Sequence, residues 1–270
     1  MHTQLEGLKH YFQSGATQSY SFRLLQLKRL KQVVLDYEKE LYHALHADLK
    51  KSEEESWATE IGFFLNELNY TIDHLKEWMQ PNSVPTNLLN QPSSCYTVRE
   101  PLGVVCIIAP WNYPFQLAIA PVISAIAAGN TVVLKPSELT PNTAKIIETI
   151  LSEVFKNEHL SVIQGGVPET TALLNERWDY IFFTGSVPVG KIVAKAAAQY
   201  MTPVTLELGG KNPCIVDDSI NIKLVAKRLV WGKFVNAGQT CIAPDYILAK
   251  RSIKSELIHQ LKIEIIKAYG

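Results

Sequence analysis

One cysteine of the chain stands in a stretch that does not look like packed core. Cys241 lies in FVNAGQTCIAPD, residues 234–245, where glycine and small polar residues precede the thiol. Cys106, by contrast, lies in the apolar run VVCIIA, where a cysteine behaves as a small hydrophobe. Exposed, tightly turned loops often carry reactive groups, so the surroundings of Cys241 favour a reactive thiol over a packed one.

A carboxylate and an amide stand in similarly informative places. Glu207 lies in LELGGK, at the end of an apolar run. A lone carboxylate is costly to bury, so Glu207 is either paired with a cation or has the raised pKa that suits a general base. Asn112 lies in PWNYP, where it either satisfies backbone groups of a rigid turn or donates to a developing oxyanion.

Two further loops have the residue types of a nucleotide site. In FFTGSVPVGK, Gly185 and Ser186 stand between an apolar run and a helical stretch, where backbone amides can face a phosphate. In LKPSE, Lys135 can meet a phosphate or a ribose hydroxyl, and Glu138 can accept from ribose hydroxyls. Neither GxGxxG nor the Walker pattern occurs, and singly these residues fit a glycine turn and solvated charges. Taken together, the strand ends favour a nucleotide site.

The elements that must position these residues alternate between strands and helices. The apolar runs predict strands at Val104 to Ala109, Thr131 to Leu134, Leu160 to Gln164, Tyr180 to Phe183 and Val204 to Leu208. Helices are predicted near Leu117 to Ala128, Pro141 to Phe155, Glu169 to Leu174 and Lys191 to Tyr200. This alternation predicts a parallel sheet covered on both faces, with ligands bound beyond the carboxyl ends of its strands.

The residues before this region are predicted to be helical and then extended. Apolar spacing predicts one amphipathic helix from Phe22 to about Lys51 and a second behind Ser52, which has the form of a capping box and is ended by Pro81. A connector rich in Pro, Ser and Asn follows, with an extended strand at CYTVRE.

Composition excludes several classes of function. The 26 basic residues equal the 26 acidic ones, so no overall charge favours nucleic acid or an anionic membrane. No signal peptide and no membrane-spanning run is apparent, which predicts a cytoplasmic protein. The four cysteines and scattered histidines show no metal-binding spacing, so no metal is predicted.

Five motifs in one order closely resemble the aldehyde dehydrogenase superfamily: APWNYP, LKPSELTP, FFTGS, LELGGKNP and GQTC. The segment GQTCIAPDY most resembles the class 3 branch, which includes fatty and aromatic aldehyde dehydrogenases. The resemblance implies an α/β fold with a Rossmann-like parallel sheet and flanking helices, and only the beginning of a second α/β catalytic domain. It implies helices over residues 1–78, a connector and oligomerisation strand over 79–97, a cofactor domain over 98–209 and an incomplete catalytic domain over 210–270.

The resemblance also implies a role for each site residue. Cys241 is the expected nucleophile, Glu207 the base that activates water, and Asn112 a donor to the oxyanion. The expected contacts with NAD or NADP, of which NAD is favoured, come from Pro110, Trp111, Lys135, Glu138, Gly185, Ser186, Val189 and Leu208. The expected partners are a small aldehyde and, for a full-length form, a second copy of the chain; nucleic acid is not expected.

The chain departs from the family pattern at its end. It stops at Gly270, and no Glu-x-Phe motif follows Cys241, so we expect a fragment or a truncated product with weak cofactor binding and poor turnover. Three other functions stay open: a catalytically silent dinucleotide-binding or partner-binding fragment, a CoA-acylating relative and, more remotely, a cysteine hydrolase. Glu207 argues against CoA acylation, because a base poised for water serves hydrolysis.

Overall fold

The structure is a computed structural model that describes residues 2–270. The described chain divides into two compact units, residues 2–207 and residues 208–270. Each unit has its own apolar core. The boundaries that the sequence predicts between the cofactor and catalytic domains stay predictions.

The first unit begins with helices. They are α1 (His2–Gln13), α2 (Tyr20–Asp36), α3 (Glu38–Leu49), α4 (Glu53–Ser56) and α5 (Gly62–Trp78). The single helix predicted from Phe22 to Lys51 is wrong, because the chain leaves helical geometry at Tyr37 (φ −99°, ψ 16°) and starts again as α3. The predicted cap at Ser52 is confirmed, since its Oγ accepts from the Glu55 N–H at 3.2 Å.

The second predicted helix is interrupted near its start. Between α4 and α5, residues Trp57–Ile61 form a turn of π-helix, in which the Gly62 N–H donates to the Trp57 carbonyl five residues earlier. A Cβ on Gly62 would lie 2.8 Å from that carbonyl oxygen, so the wide turn needs a glycine there. Turns of this kind are rare and occur frequently at functional sites.

The connector forms a small ribbon of its own. Strand β1 (Asn82–Val84) pairs antiparallel with β2 (Cys95–Thr97), and Val84 lies opposite Cys95. The extended segment predicted at CYTVRE is therefore confirmed over β2, whereas β1 was not predicted. Leu88 and Leu89, between the two strands, are almost fully exposed.

A five-stranded sheet forms the centre of the first unit, in the order β5-β4-β3-β6-β7. Its strands are β3 (Val104–Ile108), β4 (Thr131–Lys135), β5 (Leu160–Val162), β6 (Tyr180–Gly185) and β7 (Val204–Leu208). The β3–β4, β3–β6 and β4–β5 pairs are parallel, as predicted. Every residue of β3 and β4 is buried, which explains why both strands are apolar almost throughout.

Four helices connect these strands: α6 (Gln116–Ala128), α7 (Pro141–Val154), α8 (Val167–Leu174) and α9 (Val187–Ala198). The first three begin within two residues of the predicted position, but α9 begins four residues before Lys191. Ser186 accepts the Val189 N–H at 3.4 Å and so starts the helix, although Val-Pro-Val had looked like loop.

The N-terminal helices are tied to the end of α6 by a buried arginine. Arg23 donates from Nη1 to the Ala127 carbonyl at 3.1 Å and from Nε to the Thr17 carbonyl at 2.9 Å. Thr17 in turn donates to the Gly129 carbonyl at 2.6 Å. Gly129 has a left-handed φ of 92°, and a Cβ there would lie 2.3 Å from the guanidinium. This contact satisfies carbonyls that the helix end leaves without partners.

The second unit is one strand-helix-strand motif with an added helix. Its elements are β8 (Asn212–Val216), α10 (Ile222–Phe234), β9 (Pro244–Ala249) and α11 (Lys254–Tyr269). β8 and β9 are parallel, and the core joins Val216, Leu229, Ile253 and Leu257. Over residues 2–270, no helix is long and apolar enough to cross a membrane.

Lowering the pH is predicted to destabilise the first unit through His159. Its ring is buried among Tyr11, Phe22 and Phe155, and burial lowers its pKa from 6.5 to about 4. The unfolded chain therefore binds the extra proton between these values. The stability that His159 contributes is present above pH 6.5 and is lost toward pH 4, by about 3 kcal/mol.

His159→Phe keeps an aromatic ring and removes the titrating group. Urea unfolding of the wild type and the variant across this pH range measures the difference. The free energy of unfolding of the variant should fall less steeply with decreasing pH, and equal slopes would contradict the prediction.

Candidate active site

The carboxyl edge of the five-stranded sheet collects most of the predicted site residues. Because the described pairs are parallel, β3, β4 and β6 end at the same edge. Asn112 follows β3, Lys135 ends β4, and Gly185 ends β6. This placement is the one in which open parallel sheets bind their ligands.

Two buried charged side chains, Lys51 and Glu60, support the loop that carries Asn112. Pro110 is buried, Trp111 is 37% exposed, and Asn112 is half-buried. Lys51 Nζ lies 3.4 Å from the Asn112 carbonyl oxygen and 2.6 Å from Oε1 of Glu60. Burial raises the pKa of Glu60, while Lys51 and two backbone N–H groups oppose that shift.

Neither Lys51 nor Glu60 was predicted as part of a site. Their pairing joins the loop before α4 to the π-helical turn, and no motif spacing reveals it. One signal is present in the sequence: Glu60 precedes Ile61 and Phe64 on what becomes a buried face. A charged residue among core positions points to a buried partner.

Lys135 and Glu138 are brought into direct contact. Their Nζ and Oε2 atoms are 2.6 Å apart, with the Lys135 side chain 3% exposed and the Glu138 side chain 45% exposed. Lys135 is therefore not the solvated charge that the simpler interpretation assumed. Partial burial alone would raise the pKa of Glu138, but the hydrogen bond from Lys135, a backbone hydrogen bond and the lysine charge together lower it. Glu138 is an anion at neutral pH.

The β6–α9 junction has the geometry of a close approach. A Cβ on Gly185 would lie 2.5 Å from the Phe183 ring, so no other residue fits there without a shift. The first N–H groups of α9 follow at once, with Ser186 as the cap. Val187 and Val189 in this first turn are 43% and 39% exposed. The junction offers backbone donors beside apolar surface.

Glu207 differs from its expected environment. It lies in β7 with its side chain exposed, whereas its apolar neighbours had suggested partial burial. The partial burial that these neighbours suggested is wrong, because alternate residues of a strand point to opposite sides, and Leu206 and Leu208 are half-buried while Glu207 is exposed. Leu208, the next residue, is half-buried and ends the strand.

The Cys241 loop belongs to the second unit, whereas Asn112 and Glu207 belong to the first. Cys241 is exposed, as its sequence context predicts. It follows three successive residues with left-handed φ, which are Asn236 (54°), Ala237 (52°) and Gly238 (77°). Such conformations cost about 1 kcal/mol or more for residues other than glycine, so the surrounding loop must hold them.

Polar contacts within the second unit fix the backbone of this loop. The Gln239 side chain donates to the Asn236 carbonyl at 3.0 Å. Asn212 Nδ2 donates to the carbonyls of Cys241 and Ala243 at 2.7 and 3.1 Å. A Cβ on Gly210 would lie 2.5 Å from the Cys241 carbonyl oxygen, so the LGG segment runs directly against the cysteine backbone.

Over residues 2–270, no group of three or more His, Cys, Asp and Glu side chains is arranged to hold a metal ion. The four cysteines are free thiols. Cys95 and Cys214 are half-buried and Cys106 is buried, which makes Cys241 the exposed thiol of the set. Burial also raises the pKa of Cys106 far above the usual range, so its thiolate is suppressed.

These features define an α/β protein with the candidate cofactor residues at the sheet edge of one unit and an exposed cysteine in a hydrogen-bonded loop of the other. The aldehyde dehydrogenase family model matches residues 8–268. The chain belongs to the aldehyde dehydrogenase family, and class 3 members are among its relatives.

Three relatives illustrate the likeness. The chain is 48% identical over 262 residues to 4,4'-diaponeurosporen-aldehyde dehydrogenase of Staphylococcus aureus, covering 97% of this chain and 57% of the relative. It is 47% identical to the dimeric NADP-preferring aldehyde dehydrogenase of Canis lupus familiaris, covering 96% and 57%. It is 46% identical to aldehyde dehydrogenase family 3 member A2 of Macaca fascicularis, covering 100% and 56%.

A solved structure agrees with the fold throughout. The substrate-bound state of Staphylococcus aureus AldH superposes with a TM-score of 0.98 at 46% identity, over 100% of this chain and 59% of that one. The predicted α/β fold of aldehyde dehydrogenases is thus confirmed. The chain spans little more than half the length of the relatives that it matches.

Gly210→Ala is predicted to disturb the Cys241 loop, and Gly209→Ala is not. The new methyl group at Gly210 meets a backbone oxygen that cannot rotate away, whereas a Cβ on Gly209 meets nothing within 4 Å. We expect the first change to lower the free energy of unfolding by about 1–3 kcal/mol and the second to alter it by under about 0.5 kcal/mol.

The thiol reports the same difference locally. The rate at which iodoacetamide alkylates Cys241, followed by peptide mass spectrometry, should change in Gly210→Ala and stay at the wild-type value in Gly209→Ala. Equal effects of the two substitutions on stability and alkylation would show that the close approach at Gly210 does not fix the loop.

Proposed function

We propose that the protein carrying this chain oxidises an aldehyde to a carboxylic acid, with NAD or NADP as the hydride acceptor. The observation that carries the proposal is the exposed Cys241 thiol on a loop fixed by Gly210 and Asn212. A thiol in such a place can reach a small carbonyl compound. Family membership supports an aldehyde as that compound.

The first step would form a carbon–sulfur bond. Cys241 attacks as the thiolate, which is the nucleophilic form, and the aldehyde oxygen takes the electron pair of the carbonyl π bond. Donors from the Asn112 side chain and the Cys241 backbone N–H would stabilise this oxyanion. Loss of a hydride from the same carbon then restores the carbonyl and leaves a thioester on Cys241.

The second step would be hydrolysis. Glu207 accepts a proton from water as the water oxygen attacks the thioester carbon, and the carbon–sulfur bond breaks to release the acid and the Cys241 thiolate. The exposure of Glu207 gives its carboxylate contact with solvent water. A base for water favours hydrolysis over transfer of the acyl group to CoA.

The carboxyl edge of the sheet suits a dinucleotide. When bound, NAD(P) would supply the site that accepts the hydride. Lys135 and Glu138 would contact the adenine ribose, and Trp111 and Ser186 would lie near the pyrophosphate. Gly185 has no side chain, so its backbone would allow close approach of the cofactor. A Cβ at this position would meet the Phe183 ring. The remaining contacts are proposed for Pro110, Val189 and Leu208, of which Val189 presents apolar surface in the first turn of α9.

The charge of Glu138 supports NAD over NADP. Its lowered pKa keeps it anionic, and an anion beside the ribose disfavours a 2'-phosphate. The NADP-preferring name of the canine relative supports the use of either cofactor within this branch. The name of the same relative supports a homodimer for the full-length protein, and the cytoplasmic location stays a prediction.

Glu207→Gln is predicted to separate the two steps. In the protein at the full length that its gene encodes, a long-chain aldehyde and NAD should give a burst of about one NADH per subunit and then slow turnover, because the thioester accumulates. Stopped-flow absorbance of NADH measures both phases. Cys241→Ala should show no burst.

The outcomes of this experiment are distinct. An unchanged steady rate in Glu207→Gln removes this residue as the base, and a burst from Cys241→Ala removes the nucleophile. Rapid turnover of the variant on addition of CoA, with an acyl-CoA product, would favour the CoA-acylating alternative. Absence of NADH from the wild-type full-length protein would overturn the proposed function and favour a silent dinucleotide-binding protein.

Lys135→Met is predicted to weaken NAD binding about 10- to 100-fold, because it removes a charge-assisted hydrogen bond to the ribose. Titration calorimetry with NAD measures the dissociation constant. The control is Lys145→Met, which removes an exposed charge on α7. Equal dissociation constants for both variants and the wild type would show that Lys135 only neutralises Glu138.

A further inference from the structure

Lys51 and Glu60 form an ion pair that is almost completely removed from water. Their side chains are 2% and 0% exposed, and Lys51 Nζ lies 2.6 Å from Glu60 Oε1. Burying two charges costs several kcal/mol per ion, and apolar residues of similar volume often replace such pairs without loss of stability. The pair therefore calls for an explanation other than stability.

The second oxygen of Glu60 fixes the start of α6. Oε2 accepts from the Phe115 N–H at 3.0 Å and from the Gln116 N–H at 2.9 Å. These N–H groups lie at the first turn of the helix, where no carbonyl of the helix can serve them. A carboxylate is also favoured there by the helix dipole. Glu60 thus sets where the Asn112 loop ends.

Lys51 acts on the middle of the same loop. Its Nζ atom lies 3.4 Å from the Asn112 carbonyl oxygen and 4.4 Å from the centre of the Tyr113 ring. The first is a long but charge-assisted contact, and the second is within the range of cation–π attraction. One ammonium group therefore contacts two successive loop residues and the carboxylate that caps the next helix.

The π-helical turn places the carboxylate in this position. Glu60 lies in Trp57–Ile61, where one extra residue enters the turn and shifts the direction of the side chains that follow it. The turn also needs Gly62, whose Cβ would lie 2.8 Å from the Trp57 carbonyl oxygen. The helix is therefore deformed at Glu60, the residue whose carboxylate accepts from the N–H groups at the end of the Asn112 loop.

We propose that Lys51 and Glu60 are positioning residues for Asn112: they hold its backbone so that the side-chain amide meets the oxyanion. The proposal rests on the function proposed above for Asn112. Neither residue is assigned a contact with the substrate or the cofactor. A displacement of about 1 Å at a reacting group can reduce the rate about 100-fold, so small changes in this support have measurable effects.

The test compares Lys51→Met with the double variant Lys51→Met/Glu60→Gln in the protein at the full length that its gene encodes. The single variant leaves the Glu60 carboxylate buried without its cation, so its Tm should fall. In the double variant, a neutral amide replaces that carboxylate and its oxygen still accepts from both N–H groups of α6, so Tm should recover. The ammonium contact with Asn112 is absent from both variants.

A positioning role predicts that kcat does not recover with Tm. We expect kcat of the double variant to stay about 10- to 100-fold below the wild type. KM for NAD should change much less, because Lys135 and Glu138 lie at the end of β4 and just after it, outside the loop that Asn112 shares with Trp111. In an Asn112→Ala background the double substitution should lower kcat no further. Lys51→Arg, which keeps the charge but not the shape, should lower kcat at near wild-type Tm and serves if the other variants do not fold.

The matched control is Asp179→Ala. Asp179 accepts from the Val104 N–H at 2.8 Å, at the opposite edge of the sheet. Its loss removes another bond between a carboxylate and the backbone, so Tm should fall while kcat stays at the wild-type value. This control separates a loss of stability from a loss of loop position.

The outcomes distinguish the two proposals. If Asn112→Ala lowers kcat about 100-fold but the double variant has wild-type kcat, the positioning role is overturned and the proposed function stands. If Asn112→Ala has wild-type kcat, the oxyanion role fails, and the positioning role fails with it. A further loss of kcat when the double substitution is added to Asn112→Ala would show that the pair acts through other groups.

Discussion

The first unit depends on the burial of the parallel strands β3 and β4 on both faces. A strand with no residue at the surface must be covered by helices on each side. Because the strands are parallel, each connection has to cross from one end of the sheet to the other. The loops that follow the carboxyl ends of the parallel strands therefore lie together at one edge of the sheet. Lys135 and Gly185 lie at this edge for that reason, although the chain between them is long.

Three buried charged side chains of the first unit each have a polar partner. Lys135 is buried beside Glu138, Lys51 beside Glu60, and Arg23 against two backbone carbonyls. The contacts of Lys51 and Arg23 join segments that are far apart along the chain. These contacts fix the relative positions of the segments, which non-directional apolar packing alone does not do. The two lysines also lie beside the loops that carry the proposed chemistry.

The sequence predicted the strands better than it predicted their surroundings. Short apolar runs identified all five strands, and for β3 and β4 these runs are the direct trace of burial on both faces. The break at Tyr37 was missed because the helical period continues through it, and the start of α9 was missed because Val-Pro-Val has no helical period. The exposure of Glu207 could not be predicted, since apolar neighbours in a strand say nothing about the opposite face. Lys51 and Glu60 come together only when the chain folds back at the π-helical turn.

The contact of Arg23 with the end of α6 has a consequence for the order in which the protein is made. Arg23 meets a carbonyl 104 residues further along the chain, and Thr17 meets one 112 residues away. The ribosome adds on the order of 5–20 residues per second, so the N-terminal helices wait several seconds for their partner. During that interval the surface that α2 packs against α6 and α7 in the folded unit stays uncovered.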